Sequence, residues 1–373
     1  MSKFLKRNVH TIFLMLGNGC NMNCAYCLQH PLVHEPLKTA INPEIFDFME
    51  ELLAESEGSL HLQFFGGEPL LYFDAIKKIV VETKKREMNV SYGIISNGRA
   101  ITDEMVRFFN AYNIPMGVSW DGPHVLETRG FDVFADEETR ERLLALNQLS
   151  LSAVLSSKAY PKEILEAFQE ISEEYCQIHG YHVGVNIDEI MDTGIANKWL
   201  LDVDYERVYQ EMDEMSRDFM EHIGKPVSQD LYSKHQMIGC LVDSIKHFYL
   251  DNKGNWDRYT VYCGNGLATL NLDMEGNLYP CHNTSVKAGN IKDGYFKYLQ
   301  KILETDHTRE YRDACLNCSA LAYCQGGCKM VGKEARETSY CRLKQAVFLP
   351  VLLNLQNYGA KLLEVEDDKE RED

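Results

Sequence analysis

A sixfold alternation of apolar runs and amphipathic helical patterns constrains the fold of this chain more than any other feature. Each apolar run is short and nearly continuous, which is typical of strands in a parallel sheet covered on both faces. The runs lie at His10–Leu16, Ser59–Phe65, Val90–Ser96, Pro115–Trp120, Leu151–Ser156 and Tyr181–Ile187. The helical patterns lie at Pro43–Glu55, Phe73–Arg86, Asp103–Tyr112, Glu137–Asn147, Pro161–Glu174 and Tyr205–His222. The sequence therefore predicts an α/β fold whose parallel (β/α)6 sheet is open or curled into a partial barrel.

The alternation stops near residue 222, where the composition of the chain changes. We expect residues 1–222 to form the α/β domain, with its active site in the loops at the carboxyl ends of the strands. The sequence predicts a helical bridge for residues 223–254. For residues 255–350 it predicts a small second domain rich in cysteine and glycine. A C-terminal helix with an acidic tail is predicted for residues 351–373.

Charge and hydropathy exclude two kinds of partner. The 373 residues include 56 acidic and 38 basic side chains, giving a formal net charge of −18. Because binding to a phosphate backbone needs Lys and Arg, we expect no nucleic-acid partner. The longest apolar stretch, around Val347–Leu355, is too short to span a membrane and contains Pro350. The first residues also lack the apolar core of a signal peptide, so a cytoplasmic protein is expected.

Twelve cysteines are many for a protein of a reducing compartment. Structural disulfides are rare there, so clustered cysteines indicate metal ligands or catalytic groups. Three cysteines lie within Cys20–Cys27 and seven within Cys263–Cys341, while Cys176 and Cys240 stand apart.

The first group, Cys20, Cys24 and Cys27, forms a C-x3-C-x2-C pattern directly after the first predicted strand. Soft thiolate ligands favour an iron–sulfur cluster or zinc. A four-iron cluster held by three thiolates keeps one iron open for another ligand. The alternative of three buried apolar cysteines fits poorly, because the loop GNGCNMNCAYC is rich in polar turn formers.

This spacing, with Tyr26 just before the third cysteine, resembles the cluster motif of the radical S-adenosylmethionine (SAM) enzymes, and the resemblance implies that Tyr26 takes part in SAM binding. Gly66-Gly67-Glu68-Pro69 follows the second predicted strand and resembles the motif whose backbone and glutamate bind the SAM amino group. Ser96-Asn97-Gly98 and Ser119-Trp120-Asp121-Gly122-Pro123 end the next two strands and resemble segments that contact the ribose and carboxylate of SAM. By itself each of these segments is compatible with a simple turn, but the place of Gly66-Gly67-Glu68-Pro69 at the end of the second strand makes that motif specific.

The resemblance extends to two further residues and to the chemistry. Arg129 lies where related enzymes often carry an arginine for the SAM carboxylate, and Ile187 lies where a residue flanks the adenine. The resemblance implies that the open iron chelates SAM and that one electron cleaves it. The resulting 5′-deoxyadenosyl radical takes hydrogen from an unactivated C–H bond, while the protein positions and shields the reactants.

The second group of cysteines resembles the SPASM extension of radical SAM peptide and protein maturases. Its order is Cys263-x12-Gly276-x4-Cys281, then Cys315-x2-Cys318-x5-Cys324-x3-Cys328, then Cys341. The segment Tyr279-Pro280-Cys281 agrees with the same pattern. A zinc-stapled domain is the alternative for this region.

The SPASM resemblance implies two auxiliary four-iron clusters besides the SAM-binding cluster, which makes three. One auxiliary cluster would be held by Cys315, Cys318, Cys324 and Cys341, and the other by Cys263, Cys281 and Cys328. For the latter, either Cys240 supplies the fourth thiolate or one iron is open to substrate.

Two activities stand out among SPASM proteins. One is anaerobic sulfatase maturation, which oxidises a Ser or Cys to formylglycine, and the other is crosslinking of a ribosomally made peptide. Sulfatase maturases place an Asp base directly after the cysteine that matches Cys281, whereas this chain has His282. The local Tyr-Pro-Cys-His is closer to thioether-forming maturases. His282 is therefore a candidate base, or a hydrogen-bonding support for the cluster, and peptide modification is favoured.

The resemblance also implies partners: a peptide substrate and a reducing electron donor such as flavodoxin or ferredoxin. Many peptide maturases carry an N-terminal leader-recognition domain, and nine residues before the first strand leave no room for one. We therefore expect a separate recognition protein, or direct reading of the peptide by the barrel. A small-molecule substrate stays open as an alternative. So does an iron or redox sensor, although the SAM-contact segments would have no purpose in a sensor.

Overall fold

The computed structural model describes residues 9–29, 37, 40–55, 58–192, 197–223, 225, 228–246, 268–304 and 312–372. Cys263 lies outside these residues, so its role as a ligand stays a prediction. None of the described helices combines the length and apolarity that a membrane-spanning helix requires.

A nine-stranded sheet forms the body of the molecule, with spatial order β6-β5-β4-β3-β2-β1-β7-β8-β9. The strands are β1 Thr11–Met15, β2 Leu60–Phe65, β3 Val90–Ser96, β4 Met116–Ser119, β5 Leu149–Leu155, β6 Gly184–Glu189, β7 Thr269–Asp273, β8 Asn277–Tyr279 and β9 Gly289–Asn290. Strands β1 to β6 pair in parallel, each with its neighbour in sequence. The predicted α/β class and its six parallel strands are thereby confirmed.

Helices follow most of the strands. They are α1 Glu44–Glu55, α2 Phe73–Lys85, α3 Asp103–Tyr112, α4 Val125–Thr128, α5 Glu137–Leu144, α6 Pro161–His179, α7 Tyr205–His222, α8 Tyr232–Lys246, α9 Tyr295–Glu304, α10 Arg312–Leu316, α11 Leu321–Cys324, α12 Lys333–Ala335 and α13 Cys341–Glu372. Polar caps fix several starts: the Thr102 side chain accepts a hydrogen bond from Met105 N at the start of α3. Such a cap satisfies one of the free amides of the first turn.

The two faces of the sheet differ in burial. On β5, Leu151 and Ala153 are completely buried, while the alternate residues Ser152 and Val154 are partly exposed. On β1, Ile12 is buried and Phe13 is partly exposed. Burial of each large apolar side chain stabilises the fold by about 1.5–3 kcal/mol. The helices therefore pack against the buried face. The other set of alternating side chains, which includes Phe13, Phe65, Ser119, Ser152, Asn186 and Asp188, is termed the open face below.

Two predicted bounds near the edge of the sheet are wrong. The sixth strand is Gly184–Glu189 instead of Tyr181–Ile187, because α6 continues to His179 and ends at Gly180. Gly180 adopts a left-handed conformation with φ of 79°, which terminates the helix and delays the strand. Helix α5 ends at Leu144 instead of Asn147, since β5 begins at Leu149.

The C-terminal region extends the sheet of the first domain. Strand β7 pairs in parallel with β1, with Thr269 opposite Thr11, and β8 and β9 continue in antiparallel fashion. The predicted division at residue 255 thus does not coincide with a break in the sheet. Helix α13 begins at Cys341 instead of residue 351 and continues through the predicted acidic tail to Glu372.

Candidate functional site

The first cysteine group lies in the loop that leaves the carboxyl end of β1. Cys20, Cys24 and Cys27 are all half-buried, and Cys24 interacts electrostatically with the other two thiols. Burial raises the pKa of Cys20 and the pKa of Cys24. A bound metal would reverse this effect, because metal coordination stabilises the thiolate. The structure therefore places three soft ligands together at the predicted edge of the sheet.

The glycines of the Gly66-Gly67-Glu68-Pro69 turn let it pack directly on the cysteine loop. Gly67 N donates a hydrogen bond of 2.9 Å to Gly17 O. A Cβ on Gly66 would lie 2.4 Å from Gly17 O, and a Cβ on Gly67 would lie 2.5 Å from Asn18 O. Gly66 also has φ of 148°. Only glycine fits at both positions, so the pair holds the cysteine loop against β2.

Gly67→Ala tests this contact. We expect the variant to lose about 1–3 kcal/mol of stability, because the new methyl group overlaps backbone oxygens that cannot move independently. The cysteine loop should shift, and the iron bound after anaerobic reconstitution should fall. Denaturant unfolding and an iron count check both effects.

The matched control is Gly359→Ala on α13, where an added Cβ meets no atom within 4 Å. It should be neutral or stabilise by about 0.5–1 kcal/mol, as expected for an alanine inside a helix. Unchanged stability and full iron content in Gly67→Ala would contradict the proposed packing role.

Glu68 joins the ends of two strands. Its side chain is 1% exposed. Oε1 accepts hydrogen bonds from Leu70 N at 2.9 Å and Ser96 Oγ at 2.7 Å, and Oε2 accepts one from Asn97 N at 2.8 Å. Burial raises the pKa of Glu68, and these hydrogen bonds oppose the increase. Sequence reasoning did not find this structural role, and the contact of Glu68 with the SAM amino group stays a prediction.

A pocket of about 550 Å³ lies beside the first cysteine group. Its lining residues are Cys20, Asn21, Met22, Asn23, Arg99, Arg129 and Gly130. Asn97 Nδ2 donates to Asn21 Oδ1 at 2.9 Å and lies 3.8 Å from Cys20 Sγ, so the end of β3 reaches the cysteine loop. Small-molecule sites typically measure roughly 300–1,000 Å³. Three thiolates next to such a pocket fit a cluster together with a nucleoside-sized cofactor.

Asp121 is the centre of a buried hydrogen-bond network behind this pocket. It is 0% exposed. Its carboxylate accepts hydrogen bonds from Tyr26 OH and Thr128 Oγ1, both at 2.6 Å, and from Val154 N at 3.0 Å. Arg129 Nη2 donates to Oδ1 at 3.1 Å. Tyr26 and Arg129, which the sequence analysis assigned to SAM binding, are therefore both fixed by one carboxylate.

Arg129 connects the Asp121 network to the pocket. The side chain is 8% exposed, and its guanidinium lies 5.2 Å from the centre of the Tyr26 ring. Burial alone would lower the pKa of Arg129, but the charge of Asp121 and the neighbouring groups raise it above its ordinary value. A permanently charged guanidinium in the pocket wall suits an anionic group such as a carboxylate. Ser119 lies at the end of β4, on the open face.

The structure does not bring Ile187 to the site. Ile187 pairs with Ala153, which is completely buried on the helix-covered face, and Ile187 itself is 8% exposed. Its neighbours Asn186 and Asp188 lie on the open face instead. Because side chains alternate along a strand, Ile187 faces the helices, whereas Asn186 and Asp188 face the opposite side. The prediction that Ile187 flanks the adenine stays a prediction, and its side chain lies on the face opposite to Asn186 and Asp188.

The second cysteine group is divided into two sets. Cys315, Cys318, Cys324 and Cys341 interact electrostatically with one another, and Cys281 interacts with Cys328. Burial raises the pKa of Cys281 to about 11 and the pKa of Cys324 to about 12. Cys240 is exposed on α8, and no contact of its thiol with Cys281 is seen among the described residues.

His282 packs on the open face between the two cysteine groups. Its ring stacks on Phe13 at 4.4 Å between centroids and meets the Phe65 ring edge-on at 4.6 Å. Burial lowers the pKa of His282 to about 4, so the ring is neutral at pH 7. Gln29 Nε2 donates to the His282 carbonyl at 2.9 Å, which ties the first cysteine loop to the segment after Cys281.

Asp188 and Glu189 are polar residues of the site that sequence reasoning missed. Glu189 Oε2 pairs with Lys344 Nζ of α13 at 2.6 Å, and Oε1 accepts from Tyr323 OH at 2.6 Å. Asp188 lies on the open face. Its side chain is exposed to solvent, but partial loss of hydration among the surrounding protein and the charge of Glu189 raise the pKa of Asp188, while Lys344 and Arg129 oppose the increase. Alternation along β6 predicts Asp188, but only after the strand has its correct bounds.

Comparison with known proteins identifies the first domain. The family model of the radical SAM superfamily matches residues 14–194. The chain carries a radical SAM domain. It is thus a radical SAM enzyme, as the resemblance of its first cysteine motif indicated.

Two relatives of this radical SAM enzyme align with most of the chain. The radical SAM cyclopropyl synthase TigE of Paramaledivibacter caminithermalis is 24% identical over 352 residues, covering 86% of this chain and 68% of TigE. The cysteine-type anaerobic sulfatase-maturating enzyme of Clostridium perfringens is 24% identical over 383 residues, covering 91% and 96%. This enzyme is therefore similar to maturase-type members of the superfamily.

Solved structures agree in fold. The superposition on native anSMEcpe with bound AdoMet and Cp18Cys peptide covers 94% of this chain and 99% of the anSMEcpe chain, with a TM-score of 0.66 and 18% identity. The superposition on Streptococcus suis SuiB bound to precursor peptide SuiA covers 87% of this chain and 72% of the SuiB chain, with a TM-score of 0.55 and 16% identity. At these identities the likeness shows only that this chain shares its fold with both structures.

Membership in the superfamily implies one four-iron cluster and SAM. The donor set of Cys20, Cys24 and Cys27 and the adjoining pocket fit both. When bound, they supply a radical that removes hydrogen from a substrate. In this radical SAM enzyme, Gly66 and Gly67 hold the cysteine loop against β2. Asp121 fixes the Arg129 guanidinium in the pocket wall, and Asp188 lies on the open face.

Proposed function

We propose that this radical SAM enzyme modifies a residue of a ribosomally made peptide and forms a thioether or other crosslink. One observation carries the proposal: the open face lies between the first cysteine loop and the C-terminal cysteines. Phe13 of β1 contacts His282, the residue after Cys281, and Gln29 binds the same histidine. A peptide on this face would meet both cysteine groups.

The grouping of the C-terminal cysteines supports two auxiliary clusters, and hence three clusters in the enzyme. The proposed ligands are Cys315, Cys318, Cys324 and Cys341 for one, and Cys263, Cys281 and Cys328 for the other. Cys240 or an open iron completes the second. Auxiliary clusters would supply an acceptor for the electron that an oxidative crosslink releases. A reductant such as flavodoxin or ferredoxin and a separate leader-recognition protein remain the proposed partners.

Asp188 is the proposed proton acceptor of the crosslinking step. Forming a thioether breaks one C–H and one S–H bond, so the thiol proton needs a base. Asp188 lies on the open face with a raised pKa, and Arg129 of the pocket wall is close enough to influence it. His282 is a weaker candidate, because its ring is packed between the rings of Phe13 and Phe65 instead of facing the space where a peptide would lie.

Asp188→Asn should reduce peptide modification by about 10²–10⁴-fold, the usual contribution of a general base. Cleavage of SAM to deoxyadenosine should continue, because Asp188 does not hold the cysteine loop. The control is His282→Phe, which keeps the ring stacked on Phe13 and should retain most of the activity. Quantifying modified peptide and deoxyadenosine in the same reaction separates the two steps. The opposite pattern, with His282→Phe inactive and Asp188→Asn active, would make His282 the base.

The pH profile gives a second readout of Asp188. Since its pKa is raised, its protonated form persists to a higher pH than in an ordinary carboxylic acid. The rate of peptide modification by the wild type should fall as the pH drops through this raised pKa. A variant with Asn at this position should lack that acidic limb. An acidic limb that persists unchanged in the variant would assign it to another group.

Formylglycine formation is the second candidate, and the extensive alignment with the Clostridium perfringens sulfatase-maturating enzyme favours it. The products of a cysteine substrate distinguish the two candidates. A thioether retains the sulfur and the peptide loses two hydrogens, whereas formylglycine replaces the sulfur with an aldehyde oxygen.

The experiment uses the cluster-loaded enzyme with SAM, a strong reductant and two peptides. One is the Cp18Cys peptide, and the other is a synthetic candidate precursor that contains cysteine and is chosen from the short reading frames next to the gene. Mass spectrometry should show loss of two hydrogens with sulfur retained in the precursor, and no change in Cp18Cys. Conversion of Cp18Cys to the aldehyde with an unmodified precursor would overturn the proposal in favour of sulfatase maturation.

A further inference from the structure

Two histidines and an aspartate meet where α7 packs against α8, on elements that the proposed function does not use. Asp218 and His222 lie one turn apart on α7, and His235 lies on α8. One ligand atom from each residue lies within 4.8 Å of the other two. His235 is 5% exposed, while its two partners are half-buried.

We propose that Asp218, His222 and His235 bind one Zn²⁺ ion, which joins α7 to α8. Two imidazole nitrogens and one carboxylate oxygen form a donor set that zinc prefers, with water as a fourth ligand. The set contains no thiolate, so it does not compete with the cysteines for iron and sulfide. The inference is independent of the proposed peptide modification.

The hydrogen bonds of the three residues already orient the ligand atoms. His222 Nδ1 lies 2.8 Å from the Asp218 carbonyl oxygen, which fixes the ring and leaves Nε2 available. Such an outer contact from the second ring nitrogen is usual for a metal-binding histidine. His235 Nε2 lies 2.8 Å from Asp218 Oδ2. In a tetrahedral zinc site these two atoms would be roughly 3.4 Å apart, so a small side-chain rotation admits the ion.

The surroundings support a rigid site. The Phe219 ring meets His235 edge-on at 5.4 Å between centroids and covers one side of the imidazole. Helix α13 packs on the same helix α7, where Asn354 Nδ2 donates to Asp213 Oδ1 at 2.9 Å and Ser216 Oγ at 2.7 Å. Zinc at α7 and α8 would thereby stabilise the helical layer that supports α13, whose first residue is Cys341.

Zinc binding is tested on protein whose cysteines are first filled by anaerobic reconstitution with iron and sulfide. This protein is equilibrated with ZnCl₂ and desalted, and then zinc and iron are counted together. Wild type should retain about one zinc per chain. His222→Ala combined with His235→Ala should lose it without a change in iron. The control is His124→Ala. In the wild type the two ring nitrogens of His124 also face carboxylates, those of Glu127 and Glu163, at 3.3 Å each. This variant should keep the zinc.

Thermal unfolding gives a second readout. ZnCl₂ should raise the melting temperature of wild type and of His124→Ala, because a ligand that binds only the folded state stabilises it. If the double variant does not fold, Asp218→Asn serves instead, and its zinc affinity should fall at least about tenfold. Wild type without retained zinc, or variants that retain it, would overturn the proposal.

Discussion

Asp121→Asn is expected to lower the free energy of unfolding by about 3–5 kcal/mol, because it leaves the buried Arg129 guanidinium without its counter-charge. Asp121 is completely buried and accepts hydrogen bonds from four groups. An amide can accept some of these bonds, but it supplies no charge. Guanidinium-induced unfolding of the anaerobic holoprotein measures the loss. Cleavage of SAM should fall as well, because Tyr26 and Arg129 lose their common anchor.

Two controls isolate the buried charge. Asp103→Asn removes an exposed partner of Arg142, 2.8 Å away, and should cost at most about 1 kcal/mol. Combining Asp121→Asn with Arg129→Met removes both charges and should be less destabilising than Asp121→Asn alone. Equal stability of Asp121→Asn and Asp103→Asn would show that the network contributes little.

Cys24→Ala is expected to eliminate deoxyadenosine formation, with activity falling to the background of the assay. A cluster in this loop would have only two thiolates left, so about four irons per chain should be lost. Liquid chromatography of the reaction with SAM and dithionite measures the activity, and a colorimetric assay measures the iron.

Cys176→Ala is the matched control for this cysteine variant. Cys176 is half-buried on α6 and belongs to neither cysteine group. Its removal should leave both the iron content and deoxyadenosine formation unchanged. Full iron content and full SAM cleavage in Cys24→Ala would contradict the assignment of the first group as the SAM-binding cluster site.

The parallel sheet could be predicted because its strands carry strong local signals. Helices α3 and α7 have the predicted bounds, and β3 does as well. The sixth strand could not be placed, because the aromatic and apolar segment after Gly180 has the composition of a strand. Its start depends on where α6 ends, and its end lies two residues beyond Ile187, so the sequence did not include Asp188 in the strand.

Long-range contacts account for most of what the sequence did not reveal. Pairing of β7 with β1 joins residues more than 250 positions apart, and no local pattern indicates it. Asp121 was found as part of a turn, but its role depends on Thr128 and Arg129 reaching the same buried point. Lys344 likewise becomes part of the site only because α13 contacts Glu189. Buried charges are paired in three dimensions, so their partners cannot be read from spacing.

The central claim is that this radical SAM enzyme uses its C-terminal cysteines to hold two auxiliary clusters beside the open face. The most direct test counts iron and acid-labile sulfide per chain after anaerobic reconstitution. Three clusters predict about twelve irons with matching sulfide. About four irons, all lost in Cys24→Ala, would mean that only the first group binds a cluster, and would contradict the claim.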